Sequence, residues 1–146
     1  MKIDTVTRAD YPALIELWEA SVRATHHFLQ EAEILALKPL ILEHYLDAVT
    51  LHCARTEEGR IAGFCGLCDG KIEMLFVAPG ARGSGVGRLL VSHAITQGGA
   101  TLVDVNEQNE QAVGFYLKMG FTVTGRSPLD GQGKPYPLLH MALAPT

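Results

Sequence analysis

Ile72-Glu73-Met74-Leu75-Phe76-Val77-Ala78-Pro79-Gly80-Ala81-Arg82-Gly83-Ser84-Gly85-Val86-Gly87-Arg88-Leu89-Leu90 is the stretch on which the reading of this chain turns. It is an apolar strand, a short turn, glycines at three alternate positions, and then the opening of an amphipathic helix. Glycines let backbone N–H groups approach an anion closely, and a helix N-terminus adds partial positive charge at the same place. Arg82 and Arg88 bracket the run with full charges. The pattern predicts a phosphate-bearing ligand.

The surroundings of this loop predict one domain over residues 1–146, long enough to bury a core without disulfides or metals. Met1 to Thr7 alternates as a strand. Asp10-Tyr11-Pro12 opens a helix carried by Leu14, Leu17, Trp18 and Val22 at helical spacing, from Tyr11 to Ala24. Thr25 to Leu29 interrupts it. Glu31 to Asp47 is again helical, with Pro39 splitting it in two or starting a second piece. Strands follow at Leu51–Arg55 and Arg60–Leu67, and the Asp69-Gly70 hairpin leads into the strand Lys71–Val77. Then come a helix ending at Gly98-Gly99, a strand over Thr101–Val105, a helix over Asn109–Met119, and strands near Phe121–Gly125 and Leu138–Leu143. The order predicts an α/β (α+β) fold, a mixed sheet with helices on both faces.

A net charge of −4 argues against nucleic acid as the main partner, because backbone binding needs a basic surface. No apolar run is long enough for a membrane span, and the N-terminus lacks the apolar core of a signal peptide. Three cysteines do not suggest a secreted disulfide scaffold, so a cytoplasmic location is the expectation. Cys65-Gly66-Leu67-Cys68 lacks the second ligand pair of a zinc site, and a hairpin follows it where a redox pair needs a helix; the two cysteines read as free strand residues, and no metal is expected.

Two phosphate binders compete poorly for the glycine run. A P-loop needs Lys-Ser or Lys-Thr after its last glycine, but Val86-Gly87 follows Gly85. A dinucleotide fold finds its acidic residue in Asp104, yet its third small residue falls on Arg88 and an antiparallel meander precedes the loop. Arg82-Gly83-x-Gly85-x-Gly87 after Leu75-Phe76-Val77 instead resembles the coenzyme A pyrophosphate loop of the GNAT N-acetyltransferases. Asn109-Glu110-Gln111-Ala112, Tyr116 and Gly120-Phe121 match that family's second signature. Thr25-His26-x-Phe28-Leu29, Asn106-Glu107-Gln108-Asn109 and Gly133-Lys134-Pro135-Tyr136-Pro137 extend the resemblance to a small bacterial branch of it.

The resemblance implies a mostly antiparallel sheet of about six to seven strands, with a V-shaped split between the fourth and fifth strands. It implies that the backbone of Leu75, Phe76 and Val77 pairs with the pantetheine amides of acetyl-CoA, that the Val77 N–H polarises the thioester carbonyl, and that the loop Arg82, Gly83, Ser84, Gly85, Val86, Gly87 and Arg88 holds the pyrophosphate. Asn109 would bond the pantetheine arm. Tyr116 stands where the family places the acid that protonates the leaving thiolate, or else it is a buried core tyrosine.

The acceptor, a small-molecule or protein amine, must lose a proton before it attacks. Glu73 is the candidate base: a lone carboxylate in an apolar strand, at the i, i+2, i+4 spacing that puts it on the partly buried face of Leu75 and Val77. The other reading is a solvent-facing strand-edge glutamate. His26, with Phe28 in the same motif, is a candidate for acceptor binding or a water relay, as is Asn106 at its strand end. Tyr136 either walls the acceptor pocket or stiffens a loop. Glu16, Glu19, Glu31 and Glu33 on the early helices suit a cationic amine. The function expected is direct N-acetyl transfer in a ternary complex, by a monomer or homodimer. The alternative is a non-catalytic acyl-CoA-binding sensor of the same fold, told apart by cofactor binding without turnover on any amine.

Overall fold

The computed structural model describes residues 1–144 and contains one seven-stranded sheet. In chain order the elements are β1 (Lys2–Thr5), α1 (Tyr11–Thr25), α2 (Glu31–Leu40), β2 (Thr50–Arg55), β3 (Ile61–Cys68), β4 (Lys71–Val77), α3 (Val86–Thr96), β5 (Leu102–Asn106), α4 (Glu110–Lys118), β6 (Phe121–Ser127) and β7 (Leu138–Leu143). The strand order is β1-β2-β3-β4-β5-β7-β6, antiparallel at every junction except the parallel β4–β5 pair.

Two cores flank the sheet. On one face Leu14, Trp18 and Val22 of α1 and Ile34 of α2 pack against Cys53 and Phe64. On the other, Val86, Leu90 and Val91 of α3 and Tyr116 of α4 pack against Ile72, Val103, Phe121 and Met141. Phe64 and Phe121 are essentially inaccessible to solvent, so truncating either to alanine costs roughly 3–5 kcal/mol.

Local chemistry explains most boundaries. Asp69 and Gly70 both take positive φ, the conformation a two-residue hairpin of this hand requires, and so join β3 to β4. Gln30 and Glu33 form a capping box that starts α2, the Gln30 N–H donating to Glu33 Oε1 at 3.1 Å.

Two expectations change. Pro39 neither splits nor starts a helix. α2 runs through it to Leu40, and the missing N–H and ring clash are followed by one wide π turn at Ile41–Tyr45 and a 3₁₀ turn at Leu46–Ala48. The strand near Phe121–Gly125 extends to Ser127, with a bulge between Val123 and Gly125.

The β4–β5 junction positions the site. Only Lys71↔Leu102 and Ile72↔Val103 are paired. Beyond them the strands diverge, and the wedge they leave is the V-shaped split.

Candidate active site

The split is a cleft of about 1060 Å³ lined by β4, β5, the glycine loop and α4. The wall on the β4 side follows from register. Ala78 N–H donates to Ala62 O at 2.8 Å and Phe64 lies opposite Phe76, so alternate residues of β4 bond to β3. The amides and carbonyls of Leu75 and Val77 therefore face the split. Phe76 turns its backbone to β3 and its ring toward Phe64, at a centroid distance of 5.7 Å.

At the wide end stands the loop. Gly83 and Gly85 have φ of 78° and 86°, a left-handed conformation costly for any residue with a Cβ. Nothing crowds either position, so backbone conformation rather than space explains them. The first turn of α3 leaves the N–H groups of Val86, Gly87 and Arg88 without helical partners. Arg82 and Arg88 are exposed, and neither makes an ion pair among the described residues. Gly87 lies under the Phe115 ring, where an added Cβ would sit 3.4 Å from it. Free N–H groups, a helix N-terminus and two cations fit a pyrophosphate.

Tyr116 packs its ring edge-on to Phe115 and Phe121 and is 5% exposed. Burial, and secondarily the neighbouring Cys65, push its phenol well above the usual tyrosine range, so it holds its proton at any physiological pH. The hydroxyl has no partner within the described chain, yet it is not sealed off, since Tyr116 lines the cleft. A protonated donor thus opens into the split. Cys65 behind it is buried, its thiol pushed up to about 12 by desolvation.

Of the two environments open to Glu73, the structure shows the solvent-facing one. Gly66 pairs with Met74 and Leu67 with Ile72, so Glu73 is the extra residue of a β-bulge. The bulge resets the alternation: Ile72, Leu75 and Val77 face the α3/α4 core, and Met74 and Phe76 face the α1/α2 core. Glu73 is exposed instead of sharing a half-buried face with Leu75 and Val77. Its position is nevertheless distinctive. It lines the cleft and also a second cavity of about 220 Å³ on the α1/α2 side, whose walls include Trp18, Leu29, Leu37, Ile41 and Tyr45. His26, Met74 and Phe76 line both as well.

His26 is held in one orientation. Thr25 Oγ1 donates to Ser21 O at 2.8 Å, so it accepts from His26 Nδ1 at 2.7 Å, which leaves Nε2 as an acceptor. Nε2 lies 3.5 Å from Asn109 Nδ2. Burial, then the charges of Arg82 and His27, lower the His26 pKa to about 4, so the ring is neutral. Asn109 also caps α4, accepting from the Ala112 N–H at 3.2 Å. Asn106 lines the cleft while its Oδ1 accepts from Gln108 N–H at 2.8 Å. Tyr136 hydrogen-bonds Glu33, and its ring meets Phe28 at 5.6 Å. These contacts tie the β6–β7 loop to the loop between α1 and α2.

The acidic residues of the early helices are largely engaged. Glu19 pairs with Arg23 and Lys38, Glu31 with Arg23, and Glu33 with Lys134. They do not form a free anionic surface for a cationic acceptor. Sequence reasoning had Thr25 only as part of a motif and missed that it orients His26 from the Ser21 carbonyl. A threonine in the last turn of a helix, able to bond the carbonyl four residues back, was the available signal.

A parallel pair that splays apart, a glycine loop at a helix N-terminus and a tyrosine opening between them define a coenzyme A-dependent acyltransferase fold. Residues 48–123 match the model of the acetyltransferase (GNAT) domain, and the chain belongs to that family. It is 47% identical to the peptidyl-lysine N-acetyltransferase YjaB of Salmonella typhimurium over 88% of each chain. The solution structure of apo YjaB from Escherichia coli superposes with a TM-score of 0.90 at 42% identity, covering 99% of this chain and 98% of that one. The PaiA N-acetyltransferase of Thermoplasma acidophilum, solved in complex with coenzyme A, shares the fold at 19% identity, with a TM-score of 0.76 over 98% of both chains. The chain is an N-acetyltransferase. No helix among the described residues is long and apolar enough to cross a membrane.

Proposed function

We propose that this protein transfers the acetyl group of acetyl-CoA to the ε-amine of a lysine in a peptide or protein, by direct attack within a ternary complex. The observation that carries this reading is the meeting of two cavities at Glu73, Met74 and His26, one suited to the donor and the other open to an acceptor. Acetyl-CoA supplies an activated thioester.

The residues divide the work by position. Arg82, Arg88 and the free N–H groups of the loop neutralise the pyrophosphate, and Ser84 lies within the same turn. The backbone of Leu75 and Val77 offers strand-like hydrogen bonds to the pantetheine arm. The Val77 N–H, aimed into the split, stabilises negative charge developing on the carbonyl oxygen. Tyr116 delivers a proton to the departing sulfur. Glu73, exposed at the bulge, takes the proton of the incoming ammonium directly or through one water.

The second cavity suits a lysine. Its walls are the apolar side chains of Leu29, Leu37, Ile41 and Met74, which accommodate a tetramethylene stem, while Glu73 and His26 are the polar groups at the junction. Phe28 and Tyr136 line neither cavity; the Phe28 ring packs between His26 and Tyr136, at centroid distances of 5.4 and 5.6 Å, behind the wall that His26 and Leu29 contribute. The YjaB relative carries peptidyl-lysine in its name, which supports the same acceptor class. A cytoplasmic setting accords with this donor and with free thiols at Cys53, Cys65 and Cys68.

Coenzyme A release measured with lysine peptides, polyamines, free amino acids and aminoglycosides tests the reading. Turnover with lysine peptides at least tenfold above the other amines is expected. Tight acetyl-CoA binding without turnover on any amine would instead identify an acyl-CoA sensor.

A further inference from the structure

A chain of four side chains crosses the sheet at the apex of the split. Lys71 Nζ of β4 lies 2.5 Å from Asp104 Oδ2 of β5. Asp104 Oδ1 lies 2.7 Å from His140 Nδ1 of β7, and His140 Nε2 lies 2.6 Å from Ser127 Oγ of β6. β4, β5, β7 and β6 are consecutive in the sheet, so the chain links every strand of its C-terminal half to the strand that begins the split. Val103 and Val105 point into the α3/α4 core, as do Leu139 and Met141. Asp104 and His140 alternate with them and occupy the opposite face, where they are half-buried.

The backbone joins the two halves weakly. Only two register pairs connect β4 to β5, with Thr101 and Leu102 donating to Gly70 O just before them. The other junctions have four to six pairs each. Side chains must therefore help to set the angle at which the strands part. The Asp104 carboxylate bonds in two directions, to a cation on one strand and an imidazole on another. The Ser127 hydroxyl can donate to or accept from His140 Nε2, so the chain persists in either protonation state of the ring.

We propose that Lys71, Asp104, His140 and Ser127 form a strut that fixes the width of the split and thereby the affinity for acetyl-CoA. They are positioning residues. His140 and Ser127 do not line the cleft, whereas Asp104 does. The ligand arm of this proposal rests on acetyl-CoA being the donor; the strand-pairing arm does not.

The test combines amide hydrogen exchange with acetyl-CoA titration on Lys71→Met, Asp104→Ala, His140→Asn and Ser127→Ala, with Lys71→Arg as the conservative control. Exchange of the Thr101 and Leu102 amides should accelerate about tenfold in Lys71→Met and Asp104→Ala, with the β2–β3 amides unchanged. The acetyl-CoA Kd should rise about tenfold in the same variants and about threefold in His140→Asn and Ser127→Ala, with kcat at saturating donor nearly constant in the latter two, whose residues do not line the cleft. Lys71→Arg should restore both within about twofold. His140→Asn and Ser127→Ala alter only the outer end of the chain and serve if the inner variants fail to fold. Unchanged exchange at Thr101 and Leu102 together with an unchanged Kd in the folded variants would overturn the strut. A wild-type protein that binds no acetyl-CoA would overturn the donor assignment, and exchange alone would then judge the strut.

Discussion

His26 Nε2 and Asn109 Nδ2 lie 3.5 Å apart and connect the end of α1 to the start of α4 across the cleft. The acceptor side and the donor side of the site therefore touch through one neutral imidazole. Its orientation is inherited from the helix: Ser21 O fixes the Thr25 hydroxyl, and Thr25 fixes Nδ1. On the proposed reading, a cofactor that drew on the Asn109 amide would free the His26 lone pair toward the acceptor.

That burial makes acid stability sensitive to His26. The folded ring gains its proton only near pH 4, the unfolded ring near 6.5, so the unfolded chain binds more protons between these values. The neutral ring's contribution is complete above pH 6.5 and is lost as pH falls toward 4. Urea unfolding at pH 7 and pH 5 should show the wild type losing about 2 kcal/mol more than His26→Asn. Equal losses would place the ring in contact with bulk water.

Tyr116→Phe separates the chemical role of the phenol from its packing. The ring contacts remain and no internal hydrogen bond is broken, so the melting temperature should hold within a few degrees. kcat should fall about 10²-fold, with the KM for acetyl-CoA little changed. A near-normal kcat would assign proton delivery to water.

How far the site was legible in the sequence depends on what holds each part. The donor side is local: the loop, its glycines and the strand before it are contiguous, and helix and turn chemistry reads them directly. Glu73 shows where reading by period fails. Alternation along β4 gives the correct faces for residues 74 to 77, but the bulge arises from pairing with Gly66 and Leu67 and leaves no mark in β4 itself. Asp104 was visible only as the acid of a dinucleotide pattern, because its partners Lys71, His140 and Ser127 meet it through the β4-β5-β7-β6 order. The Glu19–Arg23 pair is an i,i+4 contact within α1 that spacing alone offers, whereas Glu19–Lys38, Glu31–Arg23 and Glu33–Lys134 depend on how α1, α2 and the β6–β7 loop pack.

Glu73→Gln tests the bulged carboxylate as proton acceptor. The substitution keeps size and leaves the donor cleft intact, so acetyl-CoA affinity should be unchanged while kcat for the acceptor drops about 10²-fold at neutral pH. Retention of full turnover would transfer the role to a water chain or to His26.

Gly85→Ala probes the loop. A Cβ at φ 86° is strained though unobstructed, and stability should fall by about 1 kcal/mol. Acetyl-CoA affinity should fall at least tenfold as the N–H groups of the loop reorient. A variant with wild-type affinity would show that Arg82 and Arg88 hold the pyrophosphate without the backbone.

The most direct measurement is fragmentation mass spectrometry of a peptide carrying one lysine and a free N-terminus, after incubation with acetyl-CoA and either wild-type protein or Tyr116→Phe. One acetyl group on the lysine ε-nitrogen is expected with the wild type, and a large decrease with the variant. Acetylation of the N-terminal amine alone, or none on a peptide whose acetyl-CoA partner is demonstrably bound, would contradict that expectation.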